Sequence, residues 1–394
     1  MGSIFQSPRA IGATSIPYYT PVNNPGAAVD PGPKTPTLFQ PLQIRDVTLK
    51  NRIIVAPMCM FSSEGEPSSP NVGALTDFHI AHLGHLATKG VGIVMIEATA
   101  VQPNGWRSPN DSGLWQEGTD PGQFKALRRV VDMRGIPIKA DESVGGWPDD
   151  MVAPTGGEEF KWAPGQTQYW APRDLSIGEI QDLVTSFARS ARTDVAAGVD
   201  IIEVHGAHGY LLHVFLSPVT NRREDRYGGS FENQVRIVRE VTTAIRAAIP
   251  NDVPLFLRIS GTEWLDGTSC AANTGSWDLA SSIQLAMLLP EFGVDLVDVS
   301  SGGNHREQSI QHHGNYQVDL AGEIRQTIRA AGQNTLVGAV GLIRDPEAAR
   351  DIVQGADQEF PGMDAGALMF CPPKLGILAA VWVAYSLTGV ILIL

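Results

Sequence analysis

The chain has 394 residues, with 29 lysines and arginines against 42 aspartates and glutamates, for a formal charge of −13 at neutral pH. Apolar residues make up 43% and charged residues 18%, which excludes a disordered or collagen-like chain and supplies enough apolar material for a sizeable core. The acidic balance argues against a nucleic-acid partner, because affinity for a phosphate backbone comes from clustered Lys and Arg. The length suits two or three domains, or one large α/β barrel.

Residues 1–37 carry seven prolines and no apolar run long enough for the core of a secretory signal. They read as an extended arm, since Pro-rich segments bury too little to offset the entropy of ordering. Three cysteines, Cys59, Cys270 and Cys371, form neither a metal-ligand spacing nor a disulfide framework. That usage points to a reducing, cytoplasmic compartment.

From Leu38 to Lys374 short apolar, β-branched runs alternate with helical patterns. The strand candidates are Ile53–Ala56, Gly92–Ala98, Val199–His205, Leu255–Ser260, Val294–Ser300, Leu336–Gly341 and Ala365–Phe370. Their near-continuous hydrophobicity suits parallel strands covered on both faces. Ser176 stands three residues before Glu179, a capping-box pattern that opens a helix to Ala197, and Ser230 before Glu232 and Asn233 opens another. Seven or eight βα units favour closure into a (β/α)8 TIM barrel over an open doubly wound sheet. No G-x-G-x-x-G follows any of these strands, which lowers the open dinucleotide-binding alternative. The weakest link is the third strand, where only Arg134–Ala140 is available and Pro137 removes a ladder donor from its middle.

The last twenty residues, 375–394, contain no charge. As a helix rising about 1.5 Å per residue they would reach the thickness of a bilayer core. They read either as a membrane tail or as a buried or divergent end of the fold.

Such a barrel places its active site at the C-terminal ends of its strands. The fourth strand ends in His205-Gly206-Ala207-His208-Gly209-Tyr210. Paired imidazole donors there can hold a carbonyl or phenolate oxygen as negative charge develops on it, and a phenol beside them can deliver a proton to an adjacent carbon. A structural pair of histidines, or half of a metal site, is the other reading; the latter lacks a third ligand at sensible spacing. Arg258 ends an apolar strand and either pairs with Glu203 or Asp298 or faces an anionic, electron-rich ring. Residues 217–230, dense in turn formers and donors, are expected to order a loop rather than catalyse. The glycines of Val337–Ile343 let a phosphate approach backbone N–H groups at the usual phosphate site of a TIM barrel.

Together LKNRIIVAPMCMFSS, HGAHGYLLHVFLSPVTNRREDRYGGSFENQVR, PLFLRIS, GVDLVDVSSGG and GAVGLI resemble, in the right order, the motifs of the old yellow enzyme family, most strongly its branch with a cysteine beside the flavin. The resemblance runs from about Leu38 to Phe370. It implies an FMN-dependent oxidoreductase, reduced by NADPH or NADH, that reduces the C=C bond of an α,β-unsaturated carbonyl substrate. By position, His205 and His208 would bind the substrate's carbonyl oxygen and Tyr210 would protonate the α-carbon. Cys59 would tune the flavin, Pro57, Met58 and Ala98 would line its ring, Arg258 would face its pyrimidine end, and Gly302 and Gly341 look like cofactor-loop positions. The Pro-rich arm and the Glu359–Asp364 insertion look like fungal members, some of which serve secondary-metabolite pathways, and a homo-oligomer is compatible with the family.

Three positions depart from the family pattern. The strand-three Gln-Leu-x-His-x-Gly-Arg is missing, with no glutamine between Gln123 and Gln166. After strand eight, where the family has an arginine, the chain reads Met369-Phe370-Cys371-Pro372-Pro373. Phe61, at a substrate-side position, replaces a tyrosine of the closest relatives. Two alternatives follow: a catalytically impaired barrel serving as a binding scaffold, at a membrane through its tail, or a metal-assisted hydrolase built on His205 and His208.

Overall fold

A computed structural model describes residues 26–28, 31–106, 108–118, 122–129, 150–161, 170–303, 305–343, 346–354, 368–370 and 391–393. Seven strands run parallel in the spatial order Ile93–Val94, Ile53–Val55, Leu368–Phe370, Leu336–Ala339, Leu296–Ser300, Leu255–Ser260, Ile202–Gly206. Counted along the chain this is the order of a (β/α)8 barrel, with each neighbour reached by a helical crossover. Beyond Ile202–Gly206 the sheet continues through Ile391–Ile393 to Thr99–Ala100 and Ser112–Gly113. Ile93–Val94 and Thr99–Ala100 belong to one stretch of chain, so the sheet begins and ends on the same run, although no ladder among the described residues closes the ring.

The two faces of the strands carry different cores. Outside, Leu255, Leu257 and Ile259 pack with helix Ile177–Ala197 (Ile180, Leu183, Phe187, Ala191) and helix Arg236–Ala248 (Ile237, Val241, Ile245) in one large cluster. Those helix positions recur at three- and four-residue intervals, the spacing of a single buried stripe. Inside, Ile54, Met95, Phe256, Leu296 and Val340 form a separate cluster with Ile44 and Leu49. The latter two come from an antiparallel hairpin, Leu42–Ile44 with Val47–Leu49, turned at Arg45-Asp46. Arg45 Nε lies 2.7 Å from Asp295 Oδ2, and its guanidinium donates to Asn251 O at 2.6 Å, so the hairpin sits where the central strands begin. It stoppers that end and leaves the opposite mouth for chemistry.

Helix Ile177–Ala197 begins as its sequence requires. Ser176 Oγ accepts from Glu179 N–H, Glu179 reaches back to Ser176 N–H at 2.8 Å, and Gly198 terminates the helix at φ 99°. At Ser230 the expected cap also forms, accepting from Asn233 N–H. The second strand differs from the expected Gly92–Ala98: it covers Ile93–Val94 and pairing resumes at Thr99–Ala100, and between them Glu97 Oε2 accepts from Met60 N–H. The third-strand candidate Arg134–Ala140 lies outside the described residues.

The end of the chain occupies the third position of the barrel. Ile391–Ile393 pairs antiparallel with Ile202–Gly206 on one side and Thr99–Ala100 on the other. A strand there satisfies backbone groups of two strands that would otherwise end unpaired inside the protein. Among the described residues no helix is long and apolar enough to cross a membrane; residues 375–390 of the tail lie outside them. Val204 and Leu392 are Cα partners, so cysteines introduced at both are expected to form a disulfide under mild oxidation of the full chain. Failure to cross-link in a protein with native circular dichroism would remove the tail from the sheet.

Candidate active site

The mouth is built from the segments that follow the strands, and its backbone is held in unusual conformations. Of five non-glycine residues with positive φ among the described residues, four (Phe61, His208, Trp264 and Leu342) lie just beyond strands Ile53–Val55, Ile202–Gly206, Leu255–Ser260 and Leu336–Ala339. Each costs on the order of 1 kcal/mol and persists only where the surroundings dictate it.

Three rings meet beyond Ile202–Gly206. The His205 ring centroid is 5.1 Å from that of His208 and 5.4 Å from that of Tyr210. His205 is 6% exposed. His208 has φ 62°, its N–H donates to Ser260 Oγ at 2.9 Å, and its Nε2 lies 2.7 Å from Ser300 Oγ. Ser260 and Ser300 are register partners on adjacent strands. Gln317 Nε2 donates to Ser300 Oγ at 2.9 Å, and Ser260 Oγ donates to Gly302 O at 2.7 Å. Burial, seconded by the positive charge of Arg258, pushes the His208 imidazole well below its ordinary range, so it is neutral at pH 7. Tyr210 is the N-cap residue of helix Leu211–Leu216 and packs, with Cys59 and Ala98, on the inner apolar cluster. The structure thus brings the residues expected at the ends of strands one, two and four onto one surface.

Beneath them lies a buried charge triad. Arg258 Nε is 3.2 Å from Asp298 Oδ2, without the angle of a hydrogen bond, and both residues are sealed from solvent. The paired reading of Arg258 therefore holds for Asp298. Burial pushes Asp298 up to about 6 against the pull of Arg258. Burial, with the Asp298 charge adding to it, also drives Glu203 well above the carboxylate range. One cation shared by two desolvated carboxyls favours keeping a proton on the pair.

The segments after strands Ile53–Val55 and Ile93–Val94 are largely apolar. Pro57 and Ala98 are buried, while Met58, Cys59 and Phe61 are half-buried. The 57–62 loop is fixed by Glu97, whose Oε2 accepts from Met60 N–H at 2.5 Å and whose Oε1 is 3.4 Å from His79 Nε2. His79 Nδ1 in turn accepts from Thr76 N–H at 3.0 Å. The loop after helix Leu211–Leu216 is laced by side chain to backbone contacts: Asn221 Nδ2 donates to Phe215 O and Tyr227 O at 2.7 Å each, and Arg223 to Pro154 O and Leu175 O. Gly302 and Gly341 have φ 104° and 96°. At Gly341 that left-handed backbone itself favours glycine, and a Cβ there would also meet the Gln317 side-chain oxygen. Ser260, Ser300, Gln317 and Glu97 were not singled out in the sequence; the register of Ser260 against Ser300 is the one signal that marks a pair of them.

A (β/α)8 barrel with a stoppered base and a mouth lined by histidines, tyrosine and a buried arginine is an enzyme scaffold. Residues 37–363 match the NADH:flavin oxidoreductase / NADH oxidase family. The chain is 38% identical over 374 residues to an NADH:flavin oxidoreductase of Gibberella zeae, covering 87% of this chain and 86% of that one. It is 37% identical over 334 residues to the NADPH dehydrogenase of Bacillus subtilis, covering 83% and 90%. Among solved structures it resembles morphinone reductase in complex with tetrahydroNAD (TM-score 0.61, 21% identity, 89% and 92% covered). It also resembles an old yellow enzyme homologue from Zymomonas mobilis (TM-score 0.60, 19% identity, 89% and 94% covered). The chain belongs to the NADH:flavin oxidoreductase / NADH oxidase family, the old yellow enzyme-type oxidoreductases that bind FMN and use NADH or NADPH.

The described residues fit an isoalloxazine. A planar ring with apolar edges and an electron-rich pyrimidine calls for apolar contacts and a cation, and the residues the resemblance assigns to it are of those kinds: Pro57 and Ala98 are buried, Met58 is half-buried, and Arg258 is a buried cation beside Asp298. The region of the family's strand-three glutamine and the stretch after Phe370 lie outside the described residues.

The charge triad gives a pH signature. A carboxyl raised from 3.8 to about 6 on folding holds its proton more tightly in the folded state. The stability it contributes is present at low pH and lost as pH rises through about 4 to 6. Asp298→Asn has no such loss, so its melting temperature relative to the parent is expected to climb across that window; a constant difference would contradict the assignment.

Proposed function

We propose that this protein reduces the C=C bond of an α,β-unsaturated carbonyl compound, with His205 and His208 holding the carbonyl oxygen and Tyr210 protonating the α-carbon. The observation that carries the reading is the meeting of three rings, His205 with His208 and Tyr210, over the cluster that holds Cys59 and Ala98. Bound FMN, reduced by NADPH or NADH, supplies the hydride.

The residues of the chain do the rest. His205, desolvated in the mouth, offers an imidazole donor to the oxygen on which charge builds as the alkene is reduced. His208 is kept neutral and oriented by Ser260 and Ser300, so it adds a dipole rather than a full charge. Tyr210, fixed at the entrance of its helix, has its phenol beside the same oxygen-binding pair and donates the proton. Glu97 keeps the Cys59 loop in place, and Phe61 contributes an apolar contact where a hydroxyl would bind substrate in relatives with tyrosine.

Cys59, half-buried beside Ala98 and Tyr210 on the inner cluster, supports placing the chain in the branch with a cysteine beside the flavin, where it would tune the ring. Pro57, Met58, Ala98 and Arg258 hold that ring, with Gly302 and Gly341 shaping the cofactor loops. We place the catalytic barrel at 38–374, preceded by a Pro-rich arm and followed by the apolar tail. The fungal relative and the Glu359–Asp364 insertion support a substrate of polyketide type in secondary metabolism.

Stopped-flow kinetics test the assignment of the acid. Tyr210→Phe is expected to slow reoxidation by 2-cyclohexen-1-one roughly 100-fold or more, while flavin reduction by NADPH keeps its parental rate. Equal slowing of both half-reactions would overturn the role of Tyr210.

A further inference from the structure

We propose that Cys270 is a reactive thiol served by His305 as general base, and that it is alkylated by soft electrophiles of the α,β-unsaturated carbonyl class. The pair shares no residue with the His205–Tyr210 cluster. Cys270 lies on the long loop between strand Leu255–Ser260 and helix Leu279–Leu288, and His305 on the loop after strand Leu296–Ser300. Both loops follow strands at the mouth end of the barrel.

The geometry is that of a nucleophile with a base. Cys270 Sγ is 3.8 Å from His305 Nδ1 and 3.1 Å from Thr268 Oγ1. Glu307 N–H donates to His305 Nδ1 at 3.2 Å. A backbone N–H only donates, so Nδ1 carries the ring's lone pair and the proton of the neutral imidazole sits on Nε2. The Thr268 hydroxyl donates its hydrogen to Leu265 O at 2.6 Å. The thiol proton therefore faces two acceptors, of which only the imidazole is a base, and there it shares the Nδ1 lone pair with the Glu307 N–H.

The two loops are fixed to each other at this point. Glu307 Oε2 accepts from Ser269 Oγ at 2.6 Å and from Cys270 N–H at 3.3 Å. Burial holds the His305 imidazole below its ordinary range, opposed by the Glu307 and Glu263 carboxylates and assisted by Arg306, so the base form is present at neutral pH. Cys270 is half-buried and packs on one side against Val219, Leu265 and Ala271. That apolar flank suits a soft carbon electrophile better than a small charged one.

The step closes without an oxidant or reductant. As Sγ bonds to the β-carbon, the thiol proton passes to His305 Nδ1 and the alkene's π pair moves to the α-carbon. The imidazolium then returns the proton to the α-carbon, leaving a saturated thioether. If the substrate proposed above is an enone, this cysteine meets the same chemical class; the inference rests on that reading only for which electrophile arrives in turnover.

Peptide mapping of the full chain tests it. With 2-cyclohexen-1-one or N-ethylmaleimide and no nicotinamide, the Cys270 adduct is expected to form at least about tenfold faster than the adduct at Cys59. His305→Gln is expected to slow Cys270 labelling about tenfold and leave Cys59 labelling unchanged. The ranking of Cys270 against Cys59 in the unaltered chain needs no variant: Cys270 reacting no faster than Cys59 overturns the proposal, as does a folded His305→Gln protein that reacts at the parental rate. Labelling of Cys270 in a protein that retains no flavin would leave this inference standing and remove the preceding one.

Discussion

The interior of the barrel can be apolar at only one end. The Leu42–Leu49 hairpin, tied down by Arg45 on Asp295, stoppers the side from which the strands start, and Ile54, Met95, Phe256 and Leu296 fill the space above it. Polar side chains that project inward must then rise toward the open mouth or be neutralised on the way. Arg258 with Asp298 and Glu203 is the neutralised layer; His205, His208 and Tyr210 are the layer that reaches the mouth. Chemistry is confined to the strand ends because every other direction is closed by packing.

That layering accounts for the unusual backbone at the rim. The left-handed residue His208 follows strand Ile202–Gly206 directly, where the chain must leave a buried parallel ladder within a residue or two, while Phe61 lies further along the loop after Ile53–Val55. At His208 the strain is held by two serines of the next strands, so the orientation of the ring depends on the register of Leu255–Ser260 with Leu296–Ser300. Glu97 plays the same part for the Cys59 loop. Positioning in this mouth is therefore done by neighbouring strands rather than by the loops that carry the functional groups.

Much of this was legible in the sequence, for identifiable reasons. Parallel strands buried on both faces read as unbroken apolar runs, and six of the seven candidates both start and end within three residues of their expected bounds, Gly92–Ala98 being the exception. The Ser176–Glu179 capping box, the His205-x-x-His208-x-Tyr210 spacing and the pairing of Arg258 with Asp298 are local or near-register features, which a linear reading can reach. Contacts between distant loops are not of that kind: Glu97 with Met60, Ser300 with His208 and Cys270 with His305 depend on three-dimensional register. The tail shows the limit most clearly. Its composition satisfies a bilayer and a strand equally, and of its residues only Ile391–Ile393 are described, paired with Ile202–Gly206 and Thr99–Ala100.

The central claim is that this rim retains and uses a flavin. The direct measurement is the visible spectrum of the purified full-length chain, saturated with FMN, desalted, and mixed anaerobically with NADPH. About one flavin per chain is expected after desalting, bleached by the nicotinamide and restored by an enone. A folded chain that leaves the column colourless, or keeps its colour under NADPH, would contradict it.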